Sequence, residues 1–336
     1  MNERPFTLIT GATGAVGPRV VEALHEVGCR IRTLSLDEPP FGGKWPDDSI
    51  EAITGNVNDP SVVSSAMRGV EAVIHLAALL HIVNPPDSLR DEYRKVNVGG
   101  TRTVVDAAIK ANVRRILFFS TIAVYGNTDG QIINEEAQLR PDTYYAQTKV
   151  DAEKIVLAAK NAPGQSMGTV LRLGAVYGSR IKGNYRQLLI ALNRRRFLPI
   201  GKGGNRRTLI YDKDVASAAI LALNHPRAAG RVYNVSDGNY HTLGDIIAEM
   251  CNALGRRPPW VSIPVAPVRA SVGLLEDTAK IFGINQPLTR ATIDKYLEDV
   301  AVDSSLIRTE LGFEPHFDLF RGWKDTVREM RCLKIL

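Results

Sequence analysis

Tyr145 and Lys149, in the run Tyr145-Ala-Gln-Thr-Lys149, are the residues of this chain best placed to do chemistry. On a helix, positions four apart share one face a single turn from each other, so the phenol and the ammonium become neighbours. A free phenol has a pKa of about 10 and is a poor base at neutral pH. A neighbouring ammonium, helped by the positive ring of an oxidised nicotinamide, favours the phenolate and lowers that value. The phenolate can then take the proton of a secondary alcohol while the hydride on its carbon leaves for a dinucleotide. Lys149 can also hold the nicotinamide ribose. Tyr144 does not suit the role, because the residue four ahead of it is Thr148.

The dinucleotide itself is announced far upstream, in Thr10-Gly-Ala-Thr-Gly-Ala-Val-Gly17. Gly11 permits a tight turn, Gly14 lets backbone approach a diphosphate, and Gly17 lets a helix pack closely on its strand. The helix that follows offers N–H groups and the positive end of its dipole to the diphosphate. The next strand should end in the residue that reads the adenosine ribose. Here Ser35 stands about where an acid is expected, and Asp37 lies two residues further on. That favours NAD, with Arg32 and Arg19 near enough to keep NADP open.

Positioning these groups requires strands that alternate with helices. Strands are expected at 6–9, 31–36, 50–54, 70–76, 115–120 and 168–173, and helices at 15–27, 91–111 and 144–160. This rhythm predicts an α/β chain with a Rossmann-type, doubly wound parallel sheet. After residue 174 the rhythm breaks into helical pieces near 184–196, 212–225, 242–254, 266–282, 303–311 and 318–331. Proline-marked loops separate them, and 231–235 reads as a strand returning to the large sheet. The expected division is a dinucleotide-binding domain at 1–174 plus about 208–236. A smaller, mostly helical substrate lobe takes about 175–207 and 237–336.

Composition fits a soluble globular chain, with 336 residues, 44% hydrophobic and 23% charged. The formal charge of +6 carries no nucleic-acid recognition motif with it. Arg194-Arg-Arg196 and the basic run from Lys202 to Arg207 read instead as a site for a small anionic substrate. Cys29, Cys251 and Cys332 are too far apart for a zinc or CxxC site, and no metal is expected. The start of the chain lacks an apolar signal segment, and no stretch approaches the ~20 apolar residues of a membrane span. A cytoplasmic protein, forming a homodimer and having no nucleic-acid or membrane partner, is expected.

Taken together the motifs resemble the extended short-chain dehydrogenase/reductase family, in its NAD-dependent epimerase/dehydratase branch. Thr10–Gly17 matches TGxxGxxG, and Gly55-Asn-Val-Asn-Asp59 resembles GDxxD with Asn56 in place of aspartate. His75-Leu-Ala-Ala78, Val96-Asn-Val-Gly-Gly-Thr101, Phe119-Ser-Thr-Ile-Ala-Val-Tyr-Gly126 and Leu311-Gly-Phe-Glu-Pro315 complete the set. The resemblance implies cofactor contacts from Gly11, Gly14, Val16, Gly17, Asp37, Asn56, Val57, Leu76, Ala77, Ala78, Asn97, Tyr145 and Lys149. It implies a catalytic set of Thr121, Tyr145 and Lys149, with Thr121 on the substrate oxygen. A hydroxyl that donates or accepts suits an oxygen alternating between alcohol and ketone. His75 is read as structural. In the second lobe the resemblance implies substrate contacts from Asn184, Arg207 and Arg290, as in nucleotide-sugar enzymes.

Two departures stand out: Ala175 replaces a substrate-binding asparagine, and Asp212 sits where an apolar residue is usual. Relatives that dehydrate carry an Asp-Glu pair directly after the threonine; here those positions are Ile122 and Ala123, which cannot move protons. The reaction expected is 4-epimerisation of a UDP-sugar. A UDP-4-keto-sugar reductase, another secondary-alcohol dehydrogenase and a non-enzymatic dinucleotide sensor are the alternatives.

Overall fold

Both faces of the central strands are apolar, so neighbouring residues bury on opposite sides. Leu8 packs on one face and Ile9 on the other; Phe118 and Leu117 do the same. The computed structural model describes residues 5–40, 42–80, 86–281 and 289–336. Seven strands make the sheet: β1 (Phe6–Thr10), β2 (Arg30–Ser35), β3 (Glu51–Thr54), β4 (Val70–His75), β5 (Arg115–Thr121), β6 (Gly168–Leu173) and β7 (Val232–Val235). They are all parallel, in the order β3-β2-β1-β4-β5-β6-β7. The order reverses between β1 and β4, and a crevice opens at such a reversal beyond the carboxyl ends of the strands.

The helices are α1 (Gly17–Glu26), α2 (Pro60–Ala66), α3 (Arg90–Tyr93), α4 (Gly100–Lys110), α5 (Tyr144–Ala158), α6 (Asn184–Asn193), α7 (Asp212–Asn224), α8 (Leu243–Leu254), α9 (Val265–Ile281), α10 (Arg290–Leu297), α11 (Ser305–Leu311) and α12 (Leu319–Cys332). Residues of α1, α7 and α11 cover one sheet face, and residues of α2, α4 and α5 cover the other. Helices α2 and α10 were not foreseen from periodicity; α2 is only seven residues long and is capped by Asp59.

The single helix expected over 91–111 is interrupted. Between α3 and α4 the segment Arg94–Gly99 is π-helical. Its cause is Asn97, whose amide clamps the backbone of Leu79 (Oδ1 accepting at 2.7 Å, Nδ2 donating at 3.2 Å). A wider turn there brings the side chain to that loop.

The core under the large sheet and a second core meet on a strand. Residues Leu209–Tyr211 pair in parallel with Ala175–Tyr177. Ile210 packs with the sheet core, while Leu209 and Tyr211 join the second core with α6, α8 and α12. Ile307, Leu311 and Phe313 pack under the large sheet, so this late segment serves the first lobe although it lies within 237–336.

Gly17 shows how tightly α1 seats. A Cβ there would fall inside contact distance of the Ala12 backbone, while one at Gly204 would meet nothing within 4 Å. Gly17→Ala should cost about 1–3 kcal/mol by overpacking, and Gly204→Ala less than about 0.5 kcal/mol. Chemical denaturation of the two variants checks the difference; equal losses would refute the close-packing account.

Candidate active site

The turn after β1 is shaped for backbone approach. Gly11 has φ 71°, and a Cβ there would stand 2.7 Å from the backbone N and Cα of Ala77. Val16 is the N-cap of α1 and provides no side-chain cap. By contrast Asp59, Thr143, Thr242 and Asp318 cap α2, α5, α8 and α12. In that first turn Pro18 has no N–H and Arg19 N–H donates to Val16 O at 3.0 Å, so no side chain competes with an anion for the Gly17 N–H and the helix dipole, which suits a diphosphate.

The strand ends beside this turn complete the cradle. Ser35, the last residue of β2, accepts from Thr13 N–H at 3.2 Å. Asp37 lies exposed beyond the strand, so it does not continue the face that Ser35 ends. Both arginines that could read a 2′-phosphate are occupied elsewhere. Arg32 donates to Glu51 at 2.7 Å and to Ala66 O at 2.9 Å, and its guanidinium covers Phe6. Arg19 is buried and pairs with Asp212 at 3.3 Å and with Glu329. Asn56 is exposed and turns inward on Asn58 N–H (2.9 Å), while Val57 beside it is buried against Gly100.

Beyond β4, Leu76, Ala77 and Ala78 form a half-buried edge facing the turn. His75 is fully buried below them and links Thr10 Oγ1 at 2.6 Å to Thr101 Oγ1 at 2.9 Å. Thr101 donates its own proton to Asn97 O at 2.6 Å, so His75 Nε2–H must donate to Thr101 and Nδ1 must accept from Thr10. Burial pushes the imidazole down to about 3, with Lys149 adding to the effect. It is neutral and structural. Asn97, 1% exposed, spends its amide on Leu79 and on Thr148 (3.0 Å), so it positions the residue next to Lys149.

The three catalytic candidates converge at the end of β5 and the start of α5. Thr121 ends β5 and accepts from Ala123 N–H at 3.2 Å, opening a short 3₁₀ turn over Ile122–Tyr125. That bond uses an acceptor site and leaves its O–H proton to donate. Lys149 is buried with Nζ donating to Phe119 O at 2.7 Å, and lies 6.0 Å from the centre of the Tyr145 ring. Tyr93 meets that ring edge-on at 6.5 Å.

The electrostatics of the protein alone run against the phenolate. Burial raises the phenol well above its ordinary value, with Tyr93 adding to the effect. Burial also pulls Lys149 down to about 7, opposed by the charge of Glu153. Desolvation outweighs the pairwise attraction here. A lowered phenol needs further positive charge in the cleft, which an oxidised nicotinamide carries.

Glu153 itself was not singled out from the sequence, although it continues the face of Tyr145 and Lys149 by one more turn. It is buried, with Arg172 Nη2 at 2.7 Å and Ser120 Oγ donating to it. Arg172 also donates to Tyr125 Oη at 2.9 Å, and Tyr125 donates to Asn234 Oδ1 at 2.7 Å. The network lies directly behind Thr121 and Lys149, joining β5, β6, β7 and α5.

The substrate candidates are dispersed over the second lobe. Asn184 starts α6 at the edge of a cavity of about 60 Å³, too small for a nucleotide. Arg207 Nη2 donates to the carbonyls of Lys295 (3.0 Å) and Tyr296 (2.9 Å). Arg290 is held by Asp277 at 2.6 Å and stands 3.8 Å from Glu276, so its charge is matched on the lobe's surface. Ala175 N–H bonds Thr208 O at 2.8 Å. Asp212 answers the buried Arg19 of α1, which accounts for an acid at that position. Among the described residues, no group of three or more His, Cys, Asp and Glu could hold a metal ion.

Residues 7–236 match the NAD dependent epimerase/dehydratase family. The chain belongs to that family. It is an NAD-dependent enzyme of the extended short-chain dehydrogenase/reductase type, and NAD is its cofactor. It is 27% identical to a UDP-glucose 4-epimerase of Vibrio cholerae, over 96% of this chain and 94% of that one. It is 28% identical to an N-acetyl-α-D-glucosaminyl-diphospho-ditrans,octacis-undecaprenol 4-epimerase of Escherichia coli O157:H7, with the same coverage. A solved UDP-glucose 4-epimerase of Thermotoga maritima shares the fold, with a TM-score of 0.77 at 22% identity over 98% of this chain and 99% of that one.

Removing the Glu153 charge should act on stability and on titration together. Glu153→Gln leaves Arg172 buried without its carboxylate and should cost about 3–5 kcal/mol. It also removes the charge that holds Lys149 up, so Lys149 should lose its proton at lower pH. The alkaline limb of kcat/KM should move to lower pH. Denaturation curves and pH profiles of the two proteins check both; an unmoved limb would assign Glu153 to stability alone.

Proposed function

We propose that this enzyme inverts C4 of a sugar carried as a UDP ester, through a transient 4-keto sugar. The observation that carries the reading is the company kept by Thr121. Tyr145 and Lys149 stand across from it on α5, while the next two residues, Ile122 and Ala123, are apolar. The cleft thus has one proton-transferring phenol and no carboxylate pair after the threonine to eliminate water. The relatives from Vibrio cholerae and Escherichia coli are 4-epimerases, one of a nucleotide sugar and one of a polyprenyl-linked sugar. Their common substrate element is a glycosyl diphosphate.

Each residue then has a task. Tyr145 takes the C4 hydroxyl proton in one half-reaction and returns it in the other. Thr121 donates to the C4 oxygen when it is a carbonyl. Lys149 holds the nicotinamide ribose and, when charged, favours the phenolate. The glycine turn and the open N-terminus of α1 hold the diphosphate of NAD, and Ser35 with Asp37 reads the adenosine ribose. Bound there, NAD would supply a reversible hydride acceptor for C4, and inversion follows when the hydride returns to the opposite face of the ring. Arg207, whose partners are carbonyls and not carboxylates, keeps its positive charge for the sugar diphosphate. The bulk removed at Ala175 and Ala123 leaves space for the keto-sugar to turn over between the two half-reactions.

Tyr145→Phe keeps the ring and removes the proton, so turnover should fall about 10²–10⁴-fold while NAD still binds. Incubation with UDP-glucose, UDP-galactose and their N-acetyl forms should give C4-inverted product with no added reductant and no net NADH. Product formed only from a 4-keto sugar, with one NAD(P)H consumed per turnover, would establish the reductase instead. Since Arg32 and Arg19 are both committed, NAD should bind more tightly than NADP by about 1–3 kcal/mol. Equal titration curves would contradict this.

A further inference from the structure

Two stretches of the second lobe are one-sided in charge. Residues 180–211 contain nine Lys or Arg and no Asp or Glu, and residues 250–275 contain three and none. The rest of the chain carries 30 basic and 36 acidic side chains, so the excess of positive charge resides in these two stretches. They meet in space. Ile200 and Ile263 form a parallel bridge, Gly201 N–H donates to Ile263 O and Ile263 N–H to Pro199 O, both at 2.8 Å. Arg256 donates to Asn193 at 3.1 Å, next to Arg194-Arg-Arg196 at the end of α6. Arg206 and Arg269 are matched by Asp299 and Asp294. Among the described residues no carboxylate pairs with Arg194, Arg195, Arg196, Lys202, Arg256 or Arg257.

The same face exposes apolar side chains that water does not favour. Trp260 is 96% exposed and Leu198 53%, with Val261 and Ile263 alongside. On α9, Leu274 is 68% exposed and Leu275 is exposed beside it. From Pro258 to Leu275 only Arg269 is charged. Large exposed apolar side chains beside unpaired cations, on two stretches joined at Ile200 and Ile263, mark an interaction surface.

We infer that this face rests on the surface of an anionic lipid bilayer. Indole belongs at the boundary between headgroups and acyl chains, where its ring is buried and its N–H stays wet. Arginines around it meet lipid phosphates, and each basic side chain near such a surface strengthens partition roughly five-fold. No helix among the described residues is long and apolar enough to cross a membrane, so the contact is peripheral. A second copy of the chain is a poor occupant, because two-fold pairing would set cations against cations with no acids between them. The basic stretch is also linked to the approach to α5. Arg207, within the basic stretch, holds the carbonyl of Lys295, whose Nζ pairs with Asp142 at 3.4 Å, three residues before Tyr145.

The test uses the full chain and vesicles of phosphatidylcholine, with or without phosphatidylglycerol. No substrate is needed, so the result is independent of the epimerase reading. The protein should sediment with the anionic vesicles, less so at high salt, and only weakly with phosphatidylcholine alone. Its emission should shift to the blue on binding, since Trp45 and Trp323 are buried and Trp260 is not. Trp260→Ser/Val261→Ser and, separately, Arg257→Glu should each lower partition at least about five-fold, with melting temperature and NAD binding unchanged. Wild-type binding by both variants, or no preference for anionic vesicles, would overturn the inference. So would conversion of a dimer to a monomer by Trp260→Ser in sedimentation velocity, which would make the face an interface between copies.

Discussion

A buried carboxylate organises the catalytic corner. Glu153 has given up water and is held by Arg172, Ser120 and, one helical turn away, the charge of Lys149. Desolvating an acid and a guanidinium together is costly, and the cost is offset only where geometry and further hydrogen bonds are good. Here the guanidinium approaches with two nitrogens, and its remaining donor goes to Tyr125. The strand carrying Thr121 and the helix carrying Tyr145 and Lys149 are thereby pinned to β6. Moving any one of these elements would leave a buried charge exposed to apolar surroundings.

A comparable arrangement couples α1 to α7 and α12. Arg19 leaves the first turn of α1, directly after the glycine loop, and enters a cluster of Asp212, Ser179 and Glu329. Lys213 adds contacts to Asp325 and Glu329 on α12. Helices α1 and α12 are thus tied by charge, with Asp212 raised to about 6 by burial against the pull of Arg19. Helix α1 has a polar side chain pointed away from the sheet for this reason. Its apolar residues Val20, Val21 and Leu24 still face the core.

What was legible in the sequence was local. Gly11, Gly14 and Gly17 lie within seven residues, and Tyr145 and Lys149 within five, so backbone geometry alone fixes their relations. The alternation of strand and helix was legible for the same reason. Residues joined only by tertiary contacts were not. The turn of π-helix at Asn97 depends on Leu79, eighteen residues away, and a periodic apolar pattern reads straight through it. Arg172 meets its partner Glu153 across nineteen residues of sequence, on another element. Arg290 has the right type for a diphosphate, yet α9 supplies it with Asp277. The protonation balance of Tyr145 and Lys149 was least accessible, because burial, which decides it, is a property of the whole fold.

The wiring of His75 has a consequence for how the cleft responds to acid. Its imidazole is a one-way conductor of hydrogen bonds, from Thr10 through the ring and Thr101 to Asn97. With its proton affinity depressed to about 3, the ring stays in one tautomer throughout the range in which histidines usually switch. The junction between the cofactor turn and the π-helical segment is therefore blind to pH near neutrality. Titration of that corner near neutrality falls to Lys149 on α5, brought down to about 7 by burial, and the buried histidine takes no part in it.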